Sequence, residues 1–203
     1  MHITGIILAA GTSSRMGSVN KLLLEYRGHT IVEETLAQLS SADVDSILIV
    51  TGHDRARVEK ALAAGLTPKM QLVHNPGYAL GRAASIKRAI EHVCNRTDAA
   101  LFMVADKPGV STDLINRAVA RFRREQPVIL YVETPDGRGH PIVFAKALFG
   151  ELLSLEGDRV GDDMVAKHAN SCVSLKDDTA QIDIDNETDY RILLETESSR
   201  KMP

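Results

Sequence analysis

Three groups of residues have types and spacings suited to work on phosphates. The first is the run Leu8-Ala9-Ala10-Gly11-Thr12-Ser13-Ser14-Arg15-Met16-Gly17, with Lys21 following closely. Small side chains at Ala9, Ala10 and Gly11 let another group approach the backbone. Thr12, Ser13 and Ser14 add hydroxyl donors, and free amides in such a loop form a concavity for phosphate oxygens. Arg15 and Lys21 bring two cations to one polyphosphate, one as a fork and one as a point charge. The same run also reads as a plain strand-to-helix loop with both cations in water. Neither the Gly-x-x-x-x-Gly-Lys-Ser/Thr nor the Gly-x-Gly-x-x-Gly spacing is present.

The second group is Asp106-Lys107-Pro108, and the third is Asp183-Ile184-Asp185-Asn186-Glu187. Asp106 ends an apolar run, where a carboxylate can hold Mg2+ over a ligand. It serves equally as a turn former before a helix that Ser111 or Thr112 opens. Strand alternation puts Asp183 and Asp185 on one face and Ile184 on the other. That pair is either a metal site or the acidic decoration of a helix N-terminus. Asn75-Pro76 leads to Gly81, Arg82 and Ser85 at another helix start, as a ligand wall or a capped end. His140, in Gly137-Arg138-Gly139-His140-Pro141, meets an acceptor phosphate or bonds backbone at a strand start.

Elements of fixed period must position these groups. Ile3–Leu8, 46–50, 70–73, 99–104 and 128–132 are short apolar runs of strand type. Between them, 30–39, 55–64, 83–93 and 112–122 carry helical stripes, such as Leu114, Ile115, Ala118, Val119 and Phe122. Strand and helix in alternation predict an α/β, Rossmann-like three-layer fold, with a mainly parallel sheet and helices on both faces. Ligands of such sheets sit beyond the carboxyl ends of the strands, so the residues after Leu8, Val73 and Val104 are where chemistry belongs. Beyond Pro135 a turn-rich loop over 135–139 leads to a strand over 140–144 and a helix over 147–155. A polar loop or helix start over Gly157–Asp163, strands over 171–175 and 181–184, and a helix over 187–194 follow, with a frayed tail from Thr196. The 203 residues suit a single domain, with a nucleotide-binding half over 1–110 and an acceptor half over 111–195.

Bulk properties narrow the classes. A formal net charge of -3 marks no nucleic-acid partner. No apolar run approaches the roughly 20 residues of a membrane helix. Cys94 and Cys172 stand far apart and read as small buried hydrophobes rather than a zinc site or disulfide. The start of the chain has no basic n-region, and a cytoplasmic setting is expected.

Leu8-Ala9-Ala10-Gly11, Ser14-Arg15-Met16-Gly17 and Lys21-Leu22-Leu23 together resemble the signature of the MobA-like nucleotidyltransferases, and within them the molybdenum cofactor cytidylyltransferases. The gap before Lys21 holds Ser18, Val19 and Asn20, where two residues are common. The resemblance implies that the loop wraps a triphosphate, with Arg15, Lys21 and Asp106 catalytic. It implies nucleotide contacts from Leu8, Ala9, Ala10, Gly11, Thr12, Ser13, Asn75, Gly81 and Ser85. Ala10, where guanylyl members carry Gly, favours CTP. Asp106 and Asp185 would be the Mg2+ ligands, with Lys107 and His140 on the acceptor side. Lys107 replaces the usual Gln, Arg82 departs from the pattern, and Asp162-Asp163 replaces a Gly-Ala-Arg run. The implied reaction is CMP transfer from CTP to molybdenum-molybdopterin, with a molybdoenzyme as recipient of the product. Another cytidylyl- or guanylyltransferase, acting on a sugar, polyol or choline phosphate, or a non-catalytic cofactor chaperone, stands beside it.

Overall fold

The computed structural model describes residues 1–17, 19–158, 160–179 and 181–200, so Ser18 and Arg159 of the loops above lie outside the described residues. The chain runs β1 (His2–Ala9), β2 (Glu25–Tyr26), β3 (His29–Thr30), α1 (Ile31–Ser40), β4 (Ser46–Thr51), α2 (Arg55–Leu62), β5 (Met70–His74), α3 (Arg82–His92) and β6 (Thr97–Val104). It continues with α4 (Thr112–Glu125), β7 (Ile129–Thr134), β8 (Gly137–Ala145), α5 (Phe149–Leu152), α6 (Val160–Lys167), β9 (Cys172–Lys176) and α7 (Glu187–Arg200).

Seven strands form one sheet in the order β5-β4-β1-β6-β8-β7-β9, and β2 pairs with β3 in a separate short ladder. β1 pairs in parallel with β4 on one side and β6 on the other. β8 is antiparallel to both its neighbours, β6 and β7, while β9 returns parallel to β7. Alternation along β1 explains the three layers: Ile3, Ile7 and Ala9 pack with Leu36, Leu39, Val58, Leu62 and Phe122 of α1, α2 and α4. Ile6, on the other face, packs with Ile86, Ile90, Leu152 and Met164 of α3, α5 and α6. Each such side chain taken fully from water contributes about 1.5–3 kcal/mol. From β1 the chain runs to β4 and β5 on one side and returns from β5 through α3 to β6 on the other, so the order reverses at β1/β6. The β1 loop and Asp106 emerge there together.

Local chemistry sets the ends. Thr30 accepts from the Glu33 amide and Glu33 bonds back to the Thr30 amide, a reciprocal cap on α1. Ser111 caps α4 through the Leu114 amide.

The sequence reading errs in five places. The turn between β7 and β8 is confined to Pro135-Asp136, because Gly137 already pairs with Thr134 and Arg138 with Glu133. The helix expected over 147–155 shrinks to a 3-10 turn and the four residues of α5. Residues 181–184 form no strand: they leave the sheet, the Gln181 side chain pairing with the backbone of His140 and the Ile184 amide donating to the Asp106 carbonyl at 3.5 Å. The tail is helical to Arg200, because Glu197 pairs with Arg27 and accepts from the Tyr26 hydroxyl. Cys94 is exposed and Cys172 half-buried, so the thiols are not both core groups. No helix among the described residues is long and apolar enough to cross a membrane.

The fold reaches the β6 end through Thr35. Its hydroxyl is fully buried and lies 3.0 Å from the carbonyl of Ala105, next to Asp106, and 3.0 Å from that of Ile31. Thr35→Val keeps the shape and removes the donor. A stability loss of about 1–3 kcal/mol in urea titration is expected, because a buried carbonyl loses its partner.

Candidate active site

The β1 loop is shaped by Ser13 and Asn20. Ser13 takes a left-handed conformation, with φ 52°. Its hydroxyl accepts from the Lys21 amide at 3.2 Å and donates to the Asn20 side-chain carbonyl at 3.4 Å. That same carbonyl accepts from the Leu22 amide at 3.0 Å, starting a 3-10 turn. Leu22 is buried against the core beneath, so Lys21 stands on an anchored turn rather than a free loop. The loop lines a cavity of about 300 Å3, with Tyr78, Gly81 and Ser85 opposite and Asp106 at one end. That is the low end of the range for small-molecule sites.

The far end of the chain supplies the rest. Carboxylate oxygens of Asp106, Asp183 and Asp185 lie within 4.8 Å of one another. The Lys21 ammonium is 2.6 Å from Asp106 and 3.3 Å from Asp185, and Arg15 pairs with Asp185 on the outer side. Burial pushes the Asp106 carboxyl up, but the Lys21 charge and hydrogen bond outweigh it and hold Asp106 below the usual range. Burial likewise pulls Lys21 down, and Asp106 more than offsets it, leaving Lys21 raised. Asp183, pushed up by burial and then by the Asp106 carboxylate, is the strained member. Three hard oxygen donors gathered this closely suit a divalent ion such as Mg2+ or Mn2+, which Asp106, Asp183 and Asp185 would hold.

A second cavity of about 230 Å3 adjoins the first and shares Leu8, Arg82, Val104, Asp106 and Asp158 with it. Its floor is Phe102, Ile142 and Phe144, and Lys107, Arg138 and His140 stand at its polar side. The Lys107 ammonium is 3.8 Å from Asp183. Arg138 is held by Asp162 at 2.7 Å. His140 Nδ1 bonds the Phe102 carbonyl at 3.2 Å. Burial, followed by the Lys107 charge, lowers the His140 pKa to about 4, so its ring is neutral near pH 7. Between the cavities, the start of α3 is capped from another loop. Asp158 accepts from the Arg82 amide at 2.7 Å and the Gly157 carbonyl from the Ala83 amide at 2.9 Å. Gly81, at φ 102°, leaves room for this, since a Cβ there would lie 2.9 Å from the Asp158 carboxylate.

Of the residues singled out by sequence, Leu8, Ala10, Gly11, Thr12, Ser13, Lys21, Gly81, Ser85 and Asp106 line the first cavity. Lys107 and His140 line the second. Asp185 joins Asp106 across 79 positions of sequence. Four do not line either cavity, and Asp185 is one of them, standing in the acid cluster instead. Ala9 is fully buried on the opposite face of β1. Asn75 is buried and works from behind, donating to the Ser85 hydroxyl at 3.0 Å and accepting from the Gly77 amide at 2.9 Å. Arg15 stays largely in water beside the acid cluster. Asp158 and Tyr78 were missed as cavity walls, and Asp183 was not placed with the metal ligands. The alternation of acids around Ile184 did signal Asp183. Nothing local marks Asp158 as the cap of a helix 76 residues away.

Relatives share this architecture. A family model for the MobA-like NTP transferase domain matches residues 5–172. Nicotine blue oxidoreductase of Paenarthrobacter nicotinovorans is 28% identical over 201 residues, 94% of this chain and 96% of that one. The chain spans 31% of the bifunctional GlmU of Francisella philomiragia, at 30% identity. Rv0371c from Mycobacterium tuberculosis H37Rv has a TM-score of 0.82 at 32% identity, over 96% of this chain and 98% of that chain. The same protein is known in complex with manganese, with a TM-score of 0.78 at 29% identity, over 97% of this chain and all of that one. The nucleotidyl transferase Mth528 from Methanothermobacter thermautotroptrophicus has a TM-score of 0.80 at 25% identity, over 96% of this chain and 99% of that one. The matched span runs from within β1 to the first residue of β9, and it takes in the whole switch point where the cavities meet: the chain belongs to the MobA-like NTP transferase family and is a nucleotidyltransferase.

Proposed function

We propose that this enzyme binds CTP with Mg2+ in the β1 loop cavity and transfers CMP to a phosphorylated small molecule, with molybdenum-molybdopterin as the favoured acceptor. The observation that carries this reading is the Lys21 ammonium, seated between Asp106 and Asp185 at the end of the loop cavity. One place thus offers a cation for phosphate and carboxylates for a metal. The Ala10 side chain, in place of a second Gly, supports CTP over GTP. The nucleotide half, 1–110, and the acceptor half, 111–195, form one working domain. They interlock at the junction, since Asp158 borders the nucleotide cavity and Arg82 the acceptor cavity.

In the proposed reaction an acceptor phosphate oxygen attacks the α-phosphorus and pyrophosphate leaves in line. Lys21 and Arg15 neutralise the β,γ-phosphates as charge gathers on the leaving group. Asp106 and Asp185, joined by Asp183, would hold Mg2+, whose contribution is to screen phosphate charge and fix its orientation. A phosphate nucleophile is already ionised, so no general base is required. Lys107 faces the acceptor as a fixed cation. His140, neutral and tied to the Phe102 carbonyl by Nδ1, presents its other ring edge to the same cavity. The Phe102, Ile142 and Phe144 floor supports an acceptor with a broad apolar body.

Among CTP, GTP, ATP and UTP, CTP is expected to raise the melting temperature only with Mg2+ present. Saturation at a hundredfold excess over Kd corresponds to about 2.7 kcal/mol. Equal stabilisation by all four, or stabilisation unaffected by EDTA, removes the donor assignment. Pyrophosphate release on adding molybdopterin, sugar, polyol or choline phosphates then identifies the acceptor, and none with any acceptor points to a chaperone. Lys21→Ala is expected to lower kcat by about 10²- to 10³-fold with the fold intact by circular dichroism. His140 binds its proton more weakly folded than unfolded, so its contribution to stability is complete above about pH 6.5 and is lost as pH falls toward 4. His140→Gln should therefore flatten the acid-side decline of stability by at most about 3 kcal/mol, read from melts between pH 7 and pH 4.5.

A further inference from the structure

Segment 181–185 carries two of the three clustered carboxylates yet belongs to no strand or helix. Its far end is well held. Ile184 is fully buried with Tyr26, Ile31 and Leu193, and the Asp185 and Asn186 amides donate to the Asp189 carboxylate at 2.9 and 3.1 Å. The near end has one strong attachment among the described residues. The Gln181 side-chain carbonyl accepts from the His140 amide at 2.7 Å, and its amide group donates to the His140 carbonyl at 2.6 Å. A side-chain amide thus pairs with both backbone groups of His140, as a neighbouring strand would. Gln181 is buried. The room for it exists because residue 139 has no side chain: a Cβ on Gly139 would lie 2.7 Å from the Gln181 carbonyl oxygen.

The geometry points to Gln181 as a positioning residue that pins this segment to the start of β8 and so brings Asp183 within reach of Asp106. The inference rests on reading the acidic cluster as the metal site. Buried Ile184, whose amide donates to the Asp106 carbonyl at 3.5 Å, adjoins both acids, but only Asp185 has the further bond to Asp189, while Asp183 lies two residues from the pin. Loss of the pin therefore frees Asp183 more than Asp185. The pin also joins the acceptor cavity to the metal ligands, because the residue it grips is His140.

The test uses Mn2+ alone, titrated into the full chain and followed by electron paramagnetic resonance of the free ion. Gln181→Met keeps the length and removes both bonds. Gly139→Ala leaves Gln181 intact and displaces it, so it carries the test if the first variant does not fold. Each should weaken Mn2+ binding about tenfold, the scale seen when a partner behind a metal ligand is lost. The metal-free melting temperature should stay within about 4 °C of the parent. Asp183→Asn should weaken binding in the parent and add little in the Gln181→Met background. Parent-like Mn2+ binding by both variants, with Asp106→Asn and Asp185→Asn weakened, overturns the pin and leaves the metal site standing. Parent-like binding by those two aspartate variants as well overturns the metal site itself, and the pin with it.

Discussion

A single ammonium group holds the site together. Two like charges about 4 Å apart near a protein surface repel by about 4 kcal/mol, and three carboxylates this close do so in every pairing. Lys21 sits where it meets two of them, and its position is fixed by the Ser13 and Asn20 bonds that shape the turn beneath it. The raised Lys21 and lowered Asp106 are two views of that balance. Asp183, farther from the ammonium and next to Asp106, carries the residual repulsion. A bound divalent ion would relieve it, which ties the electrostatics of the metal-free chain to the chemistry proposed for it.

The sheet order explains why these groups meet. β1 sits between β4 and β6, so the loops leaving β1 and β6 emerge at the same end and diverge. The crevice between them takes the first cavity, and the antiparallel β8 beside β6 brings His140 and the floor of the second. Leu8, Arg82, Val104, Asp106 and Asp158 line both cavities, so ligands bound in the two would touch the same side chains. That arrangement suits a reaction in which one substrate attacks the other directly.

Much of this was legible in the residues. The β-branched runs and helical stripes gave the layers because burial on one or both faces is written in period and run length. Helical spacing over 30–39 placed α1 within a residue of its ends, and the structure adds the Thr30 and Glu33 cap. The small-residue loop with Lys21 was legible from residue types, whereas the pairing of the acids at 106 and 185 followed from the resemblance to the MobA-like signature, since each also reads as a turn former or helix-start acid. Where the reading failed, the deciding partner lay far away. Alternation over 181–184 is strand-like, and it does segregate Ile184 from Asp183 and Asp185, yet no neighbouring strand takes its backbone. The tail gained helical order from Arg27 and Tyr26, 170 and 171 positions before Glu197.

The distance along the chain between Lys21 and Asp185, 164 residues, also orders events in time. During synthesis the phosphate loop and Asp106 are available well before the last acids leave the ribosome. On the proposed metal reading, an unfinished chain would offer a divalent ion one of the three carboxylates. Only docking of α7 and the turn before it, through Ile184 and Leu193, supplies the remaining charge. If the cluster holds a divalent ion, competence for it would then come only to molecules that have made the Ile184 and Leu193 contacts.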